Sequence, residues 1–439
     1  MSKGTGTLTT LERHLERCAI SLKPAVKRVG VDAWFPYYAG YSSGFVREAL
    51  AGLGAKPGWT VLDPWNGAGT TTAVADALGC DAIGFDINPV AALVAAARLE
   101  RSANTSHSAG LANEFLAVAG RNELNVADDD PLLDWLSLRV TRRYRSIEGA
   151  VLSLLGTKDG VKVNLQAETP PPFAAFFILC LVRTAKRFAR MKENSNPTWV
   201  TPEKRGDTRT DTFDRAFLAM VATCAADAEK AALARSSVRS TVSTVSLADA
   251  RALPLEDSSI DAVVTSPPYC TRIDYFRATA FELAALGIGP DGERFRALRS
   301  SAMGTNLMRR TTPDVGPQPN AVRQLLKRIS KHPSKASNTY YYKNYSQYFD
   351  DARRSIAGIC RVLKPGATAL LVVQSSYYKD ILVPLGDLYS ALGEELGFSA
   401  RVVLRVPVRR VLALINPRAM QHEAERRYSE DVVALQRVA

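Results

Sequence analysis

The residues best suited to chemistry are four consecutive ones, Ser266, Pro267, Pro268 and Tyr269, which follow the apolar run 261–265. Proline has no N–H, and each proline restricts the residue before it, so the carbonyl oxygens of this turn point outward from a stiff chain. These carbonyls and the Ser266 hydroxyl are acceptors for an exocyclic amine, while Tyr269 offers a flat face for stacking. The pattern predicts a site that holds a planar, aminated ring beside a methyl donor. The alternative is a Pro-Pro loop that only closes a buried strand.

Three acidic residues, Asp63, Asp86 and Asp249, each follow the end of a predicted strand. Ligands of open α/β sheets bind at the carboxyl ends of the strands, where these side chains meet. Asp63 is suited to accept from an ammonium group, Asp86 from ribose hydroxyls and Asp249 from an adenine amine. Each alone is more typical of a helix cap or turn, so the prediction rests on the set.

The elements that must position these residues read as an α/β fold with a βαβα unit near the N-terminus. Residues 105–240 change to Ala- and Leu-rich helical segments, after which the α/β pattern resumes. The predicted strands are 59–63, 80–85, 241–247, 261–265 and 367–373, the predicted helices are 44–53, 70–78, 90–99, 348–362 and 382–396, and a terminal hairpin is predicted over 401–414.

This pattern predicts five consecutive parts of the chain. Residues 1–104 and 241–290 carry the cofactor and catalytic motifs of one α/β domain, which residues 346–439 complete. Residues 105–240 form a helical insertion, and residues 291–345 form a basic recognition segment.

The net charge of +12 over 439 residues is concentrated in the basic segment. Residues 294–343 contain eleven Lys or Arg and a single acid, which is typical of a surface that contacts phosphates. The predicted nucleic-acid contacts are Arg309, Arg310, Lys327, Arg328 and Lys331. A flexible, solvated loop is the alternative.

Composition argues against several other classes of protein. The longest apolar run, 173–182, is too short to span a bilayer, and the N-terminus lacks a secretory pattern, so we expect a soluble cytoplasmic protein. Six cysteines and four histidines are dispersed, so neither a metal site nor a disulfide framework is expected.

The motifs resemble those of the amino-group methyltransferases that use S-adenosylmethionine. The cofactor loop of that family is similar to Asp63-Pro-Trp-Asn-Gly-Ala-Gly-Thr-Thr71, with Trp65 in place of the usual Phe, and its ribose-binding segment is similar to 84–89. The tetrapeptide 266–269 resembles the catalytic motif in the form favoured by cytosine-N4 DNA methyltransferases. The resemblance covers about 34–100 and 241–415, and the helical insertion falls before the Asp249 segment, which fits the standard family classes poorly.

The resemblance implies a doubly wound, Rossmann-like sheet that binds S-adenosyl-L-methionine and methylates double-stranded DNA. A base flipped from the duplex would stack on Tyr269, and Ser266 with the Pro267 carbonyl would accept its two amine hydrogens. Cys270, next to the motif, is interpreted as a packed residue and not as a nucleophile. The implied cofactor-binding residues are Tyr38, Tyr41, Asp63, Trp65, Gly67, Gly69, Thr70, Thr71, Asp86, Ile87, Asp249 and Ala250.

Several alternatives stay open at this point. The same motifs occur in adenine-N6 DNA methyltransferases and in RNA enzymes, and a DNA-binding protein that has lost turnover keeps the same fold. A restriction nuclease or another defence-system partner is an open alternative to a solitary enzyme. The recognition sequence and the oligomeric state do not follow from the sequence.

Overall fold

The computed structural model of the chain describes residues 3–17, 28–35, 40–100, 102–120, 124–158, 161–189, 191–192, 200–203, 209–233, 240–270, 274–309, 317–408 and 426–438. In the first hundred residues, strands alternate with helices as predicted. Ser42 starts the second helix, because its side chain accepts from the Phe45 N–H at 3.0 Å, and Asn88 followed by Pro89 starts the fourth. The elements are α1 (Lys3–Arg17), α2 (Ser43–Gly52), β1 (Thr60–Asp63), α3 (Thr70–Ala77), β2 (Asp81–Asp86) and α4 (Pro89–Arg98).

The region 105–240 is mainly helical, as the sequence predicts, with two short hairpins between its helices. Its helices and α4 share one apolar core, in which Phe176, Phe177 and Phe217 are fully buried. The elements are α5 (Thr105–Gly120), α6 (Leu138–Leu155), β3 (Thr157–Lys158), β4 (Val161–Lys162), α7 (Pro172–Phe188), β5 (Met191–Lys192), β6 (Thr201–Pro202) and α8 (Thr210–Leu233).

The remainder of the chain returns to strands and helices. The elements are β7 (Ser243–Leu247), β8 (Ile260–Thr265), α9 (Tyr275–Ala278), α10 (Ala280–Ala285), α11 (Glu293–Ser301), α12 (Asn320–Lys331), α13 (Tyr342–Val362), β9 (Leu363–Gln374), β10 (Ser376–Tyr378), β11 (Ile381–Val383), α14 (Leu385–Glu395), β12 (Phe398–Val408) and β13 (Tyr428–Arg437). A π-helical turn, Ser337–Tyr341, leads into α13.

The described residues form a seven-stranded sheet in the order β12-β13-β9-β8-β1-β2-β7. Strands β7, β2, β1, β8 and β9 are parallel, and β13 is antiparallel to both of its neighbours. From β1 the chain builds outward through β2 to β7, then returns to build the other half from β8. The predicted α/β, doubly wound fold is confirmed, and the strand order reverses between β1 and β8, where ligands of such sheets bind.

Helices cover both faces of the sheet because its central strands are buried on both sides. Val61 belongs to the core that packs on α2 and α3, whereas the next residue, Leu62, belongs to the core that packs on α12, α13 and α14. This alternation leaves the carboxyl edge of the strands as the place where polar side chains gather.

Two predicted element boundaries were wrong at the C-terminal end. The hairpin predicted over 401–414 is instead formed by β12 and β13, because the apolar residues Val432 and Val433 bury between β9 and β12, and residues 409–414 lie outside the described residues. Helix α14 begins three residues after the predicted start, since 381–383 pair with β10 as β11.

The domain boundaries stay a prediction, although one of them crosses a helix. Helix α13 begins at Tyr342 and runs through the predicted boundary between 345 and 346, with Tyr345, Tyr348 and Phe349 buried on one side.

No helix among the described residues is both long and apolar enough to cross a membrane.

Candidate active site

A cavity lies at the carboxyl ends of the central strands, and most of the predicted cofactor and catalytic residues line it. The predicted residues that line it are Tyr41, Asp63, Trp65, Gly67, Thr70, Asp86, Ile87, Asp249, Ala250, Ser266, Pro267 and Pro268. Gly69, Thr71 and Tyr269 are described but are not in its lining. Tyr38 lies outside the described residues.

Asp63 ends β1 and is only 2% exposed, with both carboxylate oxygens hydrogen-bonded. Oδ1 accepts from the Thr265 hydroxyl at 2.6 Å and from the Trp65 N–H at 3.1 Å, and Oδ2 accepts from the Tyr41 hydroxyl at 3.1 Å. Burial raises the pKa of this carboxyl to about 6, although these hydrogen bonds oppose the shift. Each carboxylate oxygen has two acceptor positions, so Oδ2 can also accept from a cationic ligand in the cavity.

Asp86 ends β2 and is held by backbone donors. Its Oδ2 accepts from the Gly67 N–H at 2.9 Å and its Oδ1 from the Asn88 N–H at 2.8 Å. Burial raises its pKa to about 6 as well, against the opposing effect of these N–H groups. Gly67 has φ +51°, in the left-handed region where glycine carries no side-chain penalty, so the loop can bring its N–H to this carboxylate.

Gly69, Thr71 and Tyr41 support the site through packing and hydrogen bonds. A Cβ on Gly69 would lie 2.7 Å from that of Ala95, so this glycine leaves room for α4, and its φ of +78° also favours glycine. The Thr71 hydroxyl donates to the Val264 carbonyl at 3.0 Å and lies 2.5 Å from the Tyr41 hydroxyl. Thr71 therefore orients Tyr41, which in turn binds Asp63.

Asp249 is the first member of a chain of four alternating charges. Arg251 contacts Asp249 through its Nε at 2.9 Å and reaches Asp351 Oδ1 through Nη1 at 2.8 Å. Arg309 binds both oxygens of Asp351 at 2.6 Å. The Asp351 side chain is only 1% exposed. The contacts with Arg251 hold the pKa of Asp249 below its ordinary value despite partial burial, so the carboxylate stays ionised.

The predicted catalytic motif, residues 266–269, is hydrogen-bonded to β9, α13 and β13. The Ser266 hydroxyl donates to the Val372 carbonyl of β9 at 2.9 Å, so its oxygen lone pairs remain as acceptors. The Pro268 carbonyl accepts from the Tyr348 hydroxyl at 3.0 Å, and the Tyr269 hydroxyl donates to Glu430 Oε1 at 3.1 Å. These contacts fix the turn before any ligand binds, which is what preorganised acceptors require.

Several lining residues were missed by the sequence interpretation. They include Arg28, Asp32 and Arg98, together with Ser42, Ser43 and Gly44 at the start of α2. Arg98 is deeply buried, donates from Nη1 to the Ala68 carbonyl at 2.7 Å and pairs with Asp32. The lining also includes Tyr275, Phe276, Ala302 and Met303. Ser42 before a helix is a readable cap signal, whereas the others follow no motif.

The basic segment divides into paired and exposed cations. Arg299 pairs with Asp274 at 2.6 Å and Arg309 with Asp351, so Arg309 is engaged inside the protein rather than extended into solvent. Helix α12 buries Val322, Leu325, Leu326 and Ile329 and exposes Arg323, Lys327, Arg328 and Lys331 on its other side. Arg310 lies outside the described residues.

Within the part of the chain that the structure describes, no group of three or more His, Cys, Asp or Glu side chains is placed to hold a metal ion. Cys270, which the sequence analysis interprets as a packed residue, is buried.

Comparison with known proteins identifies relatives over most of the chain. No protein-family model matches it. The Type II methyltransferase M.BsoBI of Geobacillus stearothermophilus is 23% identical over 427 residues, which cover 85% of this chain and 80% of the relative. The Type II methyltransferase M.AvaI of Nostoc sp. (strain PCC 7120) is 23% identical over 423 residues, covering 90% and 85% respectively.

Solved structures of methyltransferases also match, at low scores. A geranyl diphosphate methyltransferase in complex with GPP and sinefungin has a TM-score of 0.31 and 8% identity, covering 90% of this chain and 76% of its own. The rRNA methyltransferase aviRa from Streptomyces viridochromogenes has a TM-score of 0.32 and 11% identity, covering 94% and 96%. The sheet topology and the two relatives support the coarser prediction from the motifs, an α/β methyltransferase with S-adenosyl-L-methionine as its methyl donor.

Proposed function

We propose that this protein is a DNA methyltransferase that transfers a methyl group from S-adenosyl-L-methionine to the exocyclic N4 amine of cytosine. The observation that carries the proposal is that Ser266, Pro267 and Pro268 line the same cavity as Asp63, Asp86 and Asp249. A methyl acceptor bound by the first set is thereby brought next to a ligand bound by the second set.

The carboxylates at the strand ends fit S-adenosyl-L-methionine as the cofactor. Asp63 would accept from its ammonium group, Asp86 from its ribose hydroxyls and Asp249 from its adenine amine. The buried, already oriented oxygens of Asp63 and Asp86 support this assignment, because they lose little freedom when a ligand binds. When bound, this cofactor supplies an electrophilic methyl group attached to a sulfonium centre.

The turn at Ser266 would bind the amine and shape its reactivity. Ser266 Oγ accepts one amine hydrogen, since its own proton is directed to Val372. By resemblance to the amino-group methyltransferases, the second acceptor is the Pro267 carbonyl, next to the Pro268 carbonyl that accepts from Tyr348. Both acceptors draw the amine toward tetrahedral geometry and favour the positive charge that develops on nitrogen. A neutral serine at the first position favours cytosine, by resemblance to the Ser-Pro-Pro-Tyr enzymes.

Double-stranded DNA is the substrate that the exposed face of α12 favours. Lys327 and Lys331 are one helical turn apart and point to the same side, so they can contact phosphates along one strand. The similarity to two Type II methyltransferases supports the same substrate. A target base would have to leave the duplex to reach Ser266, at a cost of a few kcal/mol.

The decisive experiment is to incubate the purified protein with isotope-labelled S-adenosyl-L-methionine and unmethylated duplex DNA, then to digest the DNA and identify nucleosides by mass spectrometry. Labelled N4-methylcytosine is the expected product. Labelled N6-methyladenine would overturn the choice of base and keep the methyltransferase. Label in RNA alone would overturn DNA as substrate, and no label in either would leave a binding protein.

A variant of the proposed amine acceptor tests the mechanism. We expect Ser266→Ala to lower kcat about 100-fold, the loss seen when one preorganised acceptor or donor is removed, with the affinity for S-adenosyl-L-methionine nearly unchanged. Single-turnover methylation and calorimetry of cofactor binding measure the two effects. Ser300→Ala, at a partly exposed serine on α11, is the matched control. Full activity of Ser266→Ala would contradict the assignment.

A further inference from the structure

We infer that Glu430 is a positioning residue that fixes the ring of Tyr269 as the platform on which the target base stacks. The inference rests on the proposed function, since it concerns the acceptor side of the same site. Glu430 lies 161 residues after Tyr269, on the antiparallel strand β13, and belongs to none of the motifs.

The contact joins two otherwise separate parts of the site. The Tyr269 hydroxyl lies 3.1 Å from Glu430 Oε1, and Glu430 is only 4% exposed. Glu430 pairs in register with Gln374 at the carboxyl end of β9, two residues after Val372, which binds Ser266. The β9–β13 pair therefore holds both ends of the tetrapeptide, Ser266 through a backbone carbonyl and Tyr269 through a carboxylate.

The Glu430 carboxylate restrains the Tyr269 ring in a way that apolar packing does not. The tyrosine hydroxyl oxygen lies on the axis of the second side-chain torsion, so a hydrogen bond to it restrains the first torsion and hence the position of the ring. Because a phenol O–H prefers to lie in the ring plane, the same bond also restrains the tilt of the ring. A bond to an ionised acceptor is about twice as strong as one between neutral groups. Burial and the nearby Glu430 charge raise the pKa of Tyr269 well above its ordinary value, so the phenol keeps the proton that it donates.

The neighbouring residue offers an internal comparison. Asp431 is also a buried carboxylate on β13, but it points to the opposite face, where it binds Arg405 at 3.0 Å and lies against Gly386 of α14. A substitution at Asp431 therefore disturbs the same strand without touching Tyr269.

The test is a double-mutant cycle on the intact protein with Tyr269→Phe and Glu430→Ala, measured as kcat and KM for methylation of duplex DNA. We expect each single variant to lower kcat about tenfold and the double variant to lower it no further, because contacting residues are non-additive. The KM for S-adenosyl-L-methionine should stay within about twofold of the wild-type value, since neither residue belongs to the proposed cofactor-binding set. Glu430→Gln, which keeps an acceptor oxygen, should restore activity to within about threefold of wild type.

Asp431→Asn controls for a loosened strand, and thermal unfolding of each variant controls for misfolding. Any of three results would overturn the inference. The first is that the two substitutions lower kcat multiplicatively, and the second is that Asp431→Asn lowers kcat as much as Glu430→Ala does. The third is that Glu430→Gln lowers kcat as much as Glu430→Ala does. If Glu430→Ala does not fold, Glu430→Gln and Tyr269→Phe still complete a cycle. Wild-type protein that methylates no nucleic acid would refute the proposed function, whereas active wild type with fully active Glu430→Ala refutes only the role of Glu430.

Discussion

The carboxylates that line the candidate site and the exposed side of α12 are built in different ways, and we call them the cofactor half and the DNA-facing half after their proposed ligands. In the cofactor half, Asp63 is almost entirely buried, Asp86 is partly buried, and both are already bound by neighbouring donors. In the DNA-facing half, Lys327 and Lys331 stand exposed on a helix whose opposite side is apolar and buried. Buried, prearranged carboxylates suit one ligand with a fixed shape, whereas exposed cations suit a long polyanion that is read mainly by charge. Substitutions in the two halves should therefore differ in which ligand they affect.

The largest expected effect is in the cofactor half. Asp63→Asn keeps the shape and most acceptors but removes the charge, and we expect about 100-fold weaker binding of S-adenosyl-L-methionine, since a hydrogen bond to a charged group contributes about 1.5–3 kcal/mol. DNA binding should change little. Isothermal calorimetry and DNA titration measure the two affinities. Asp81→Asn, at the opposite end of β2, is the control, and equal loss of DNA affinity in Asp63→Asn would erase the contrast between the halves.

A smaller effect is expected in the DNA-facing half. Lys327→Ala combined with Lys331→Ala should weaken duplex DNA binding about 30-fold and reduce the slope of log affinity against log salt by about 2, one unit per lost phosphate contact. Cofactor affinity should be unchanged. Arg139→Ala with Arg142→Ala removes two exposed charges from α6 and is the matched control. An equal slope change in that control would move DNA recognition to the helical region.

The smallest effect, a dependence on pH, separates the halves without any substitution. Burial raises the pKa values of Asp63 and Asp86 to about 6, so we expect cofactor affinity to fall about tenfold between pH 6 and pH 5 as these carboxylates are protonated. Lys and Arg stay charged over this range, so the lysine contacts to DNA should persist. The Asp63→Asn variant should show a flatter cofactor profile, and an unchanged profile would assign the titration to another group.

The raised pKa values of Asp63 and Asp86 stabilise the folded, cofactor-free protein at low pH, whereas the affinity for the cofactor is expected to fall there. Because Asp63 and Asp86 have folded-state pKa values near 6, above the ordinary 3.8, the folded protein holds protons that the unfolded chain releases. Their contribution to the free energy of unfolding is therefore present at low pH and is lost as the pH rises through about 6.

The cofactor half could be predicted from sequence because its residues are fixed by local rules. Asp63 and Asp86 each end a strand within a βαβα unit, and parallel strands place their carboxyl ends at one edge. The cofactor-binding role of Gly67 and Gly69 stays a prediction. Both glycines have a positive φ, +51° and +78°, and Gly69 also leaves room for Ala95 of α4.

The remaining contacts depend on residues far apart in sequence and have no local signature. Arg309 pairs with Asp351 across 42 residues, and Tyr269 binds Glu430 across 161. No spacing rule connects such pairs, because their proximity is decided by which helices and strands pack together. The C-terminal hairpin was misplaced for a similar reason, since its second strand is defined by pairing with β9 and β12 and not by a nearby turn.

The four-charge chain from Asp249 to Arg309 links the proposed recognition segment to the candidate site. Arg309 belongs to that segment by sequence, yet it makes two of the three arginine hydrogen bonds to the buried Asp351, and Arg251 makes the third. A segment grafted from another protein would need an arginine at position 309. Without it, Asp351 would stay buried beside Arg251, which also pairs with Asp249. The proposed recognition segment is therefore not an interchangeable module, because Arg309 makes its contacts inside the protein.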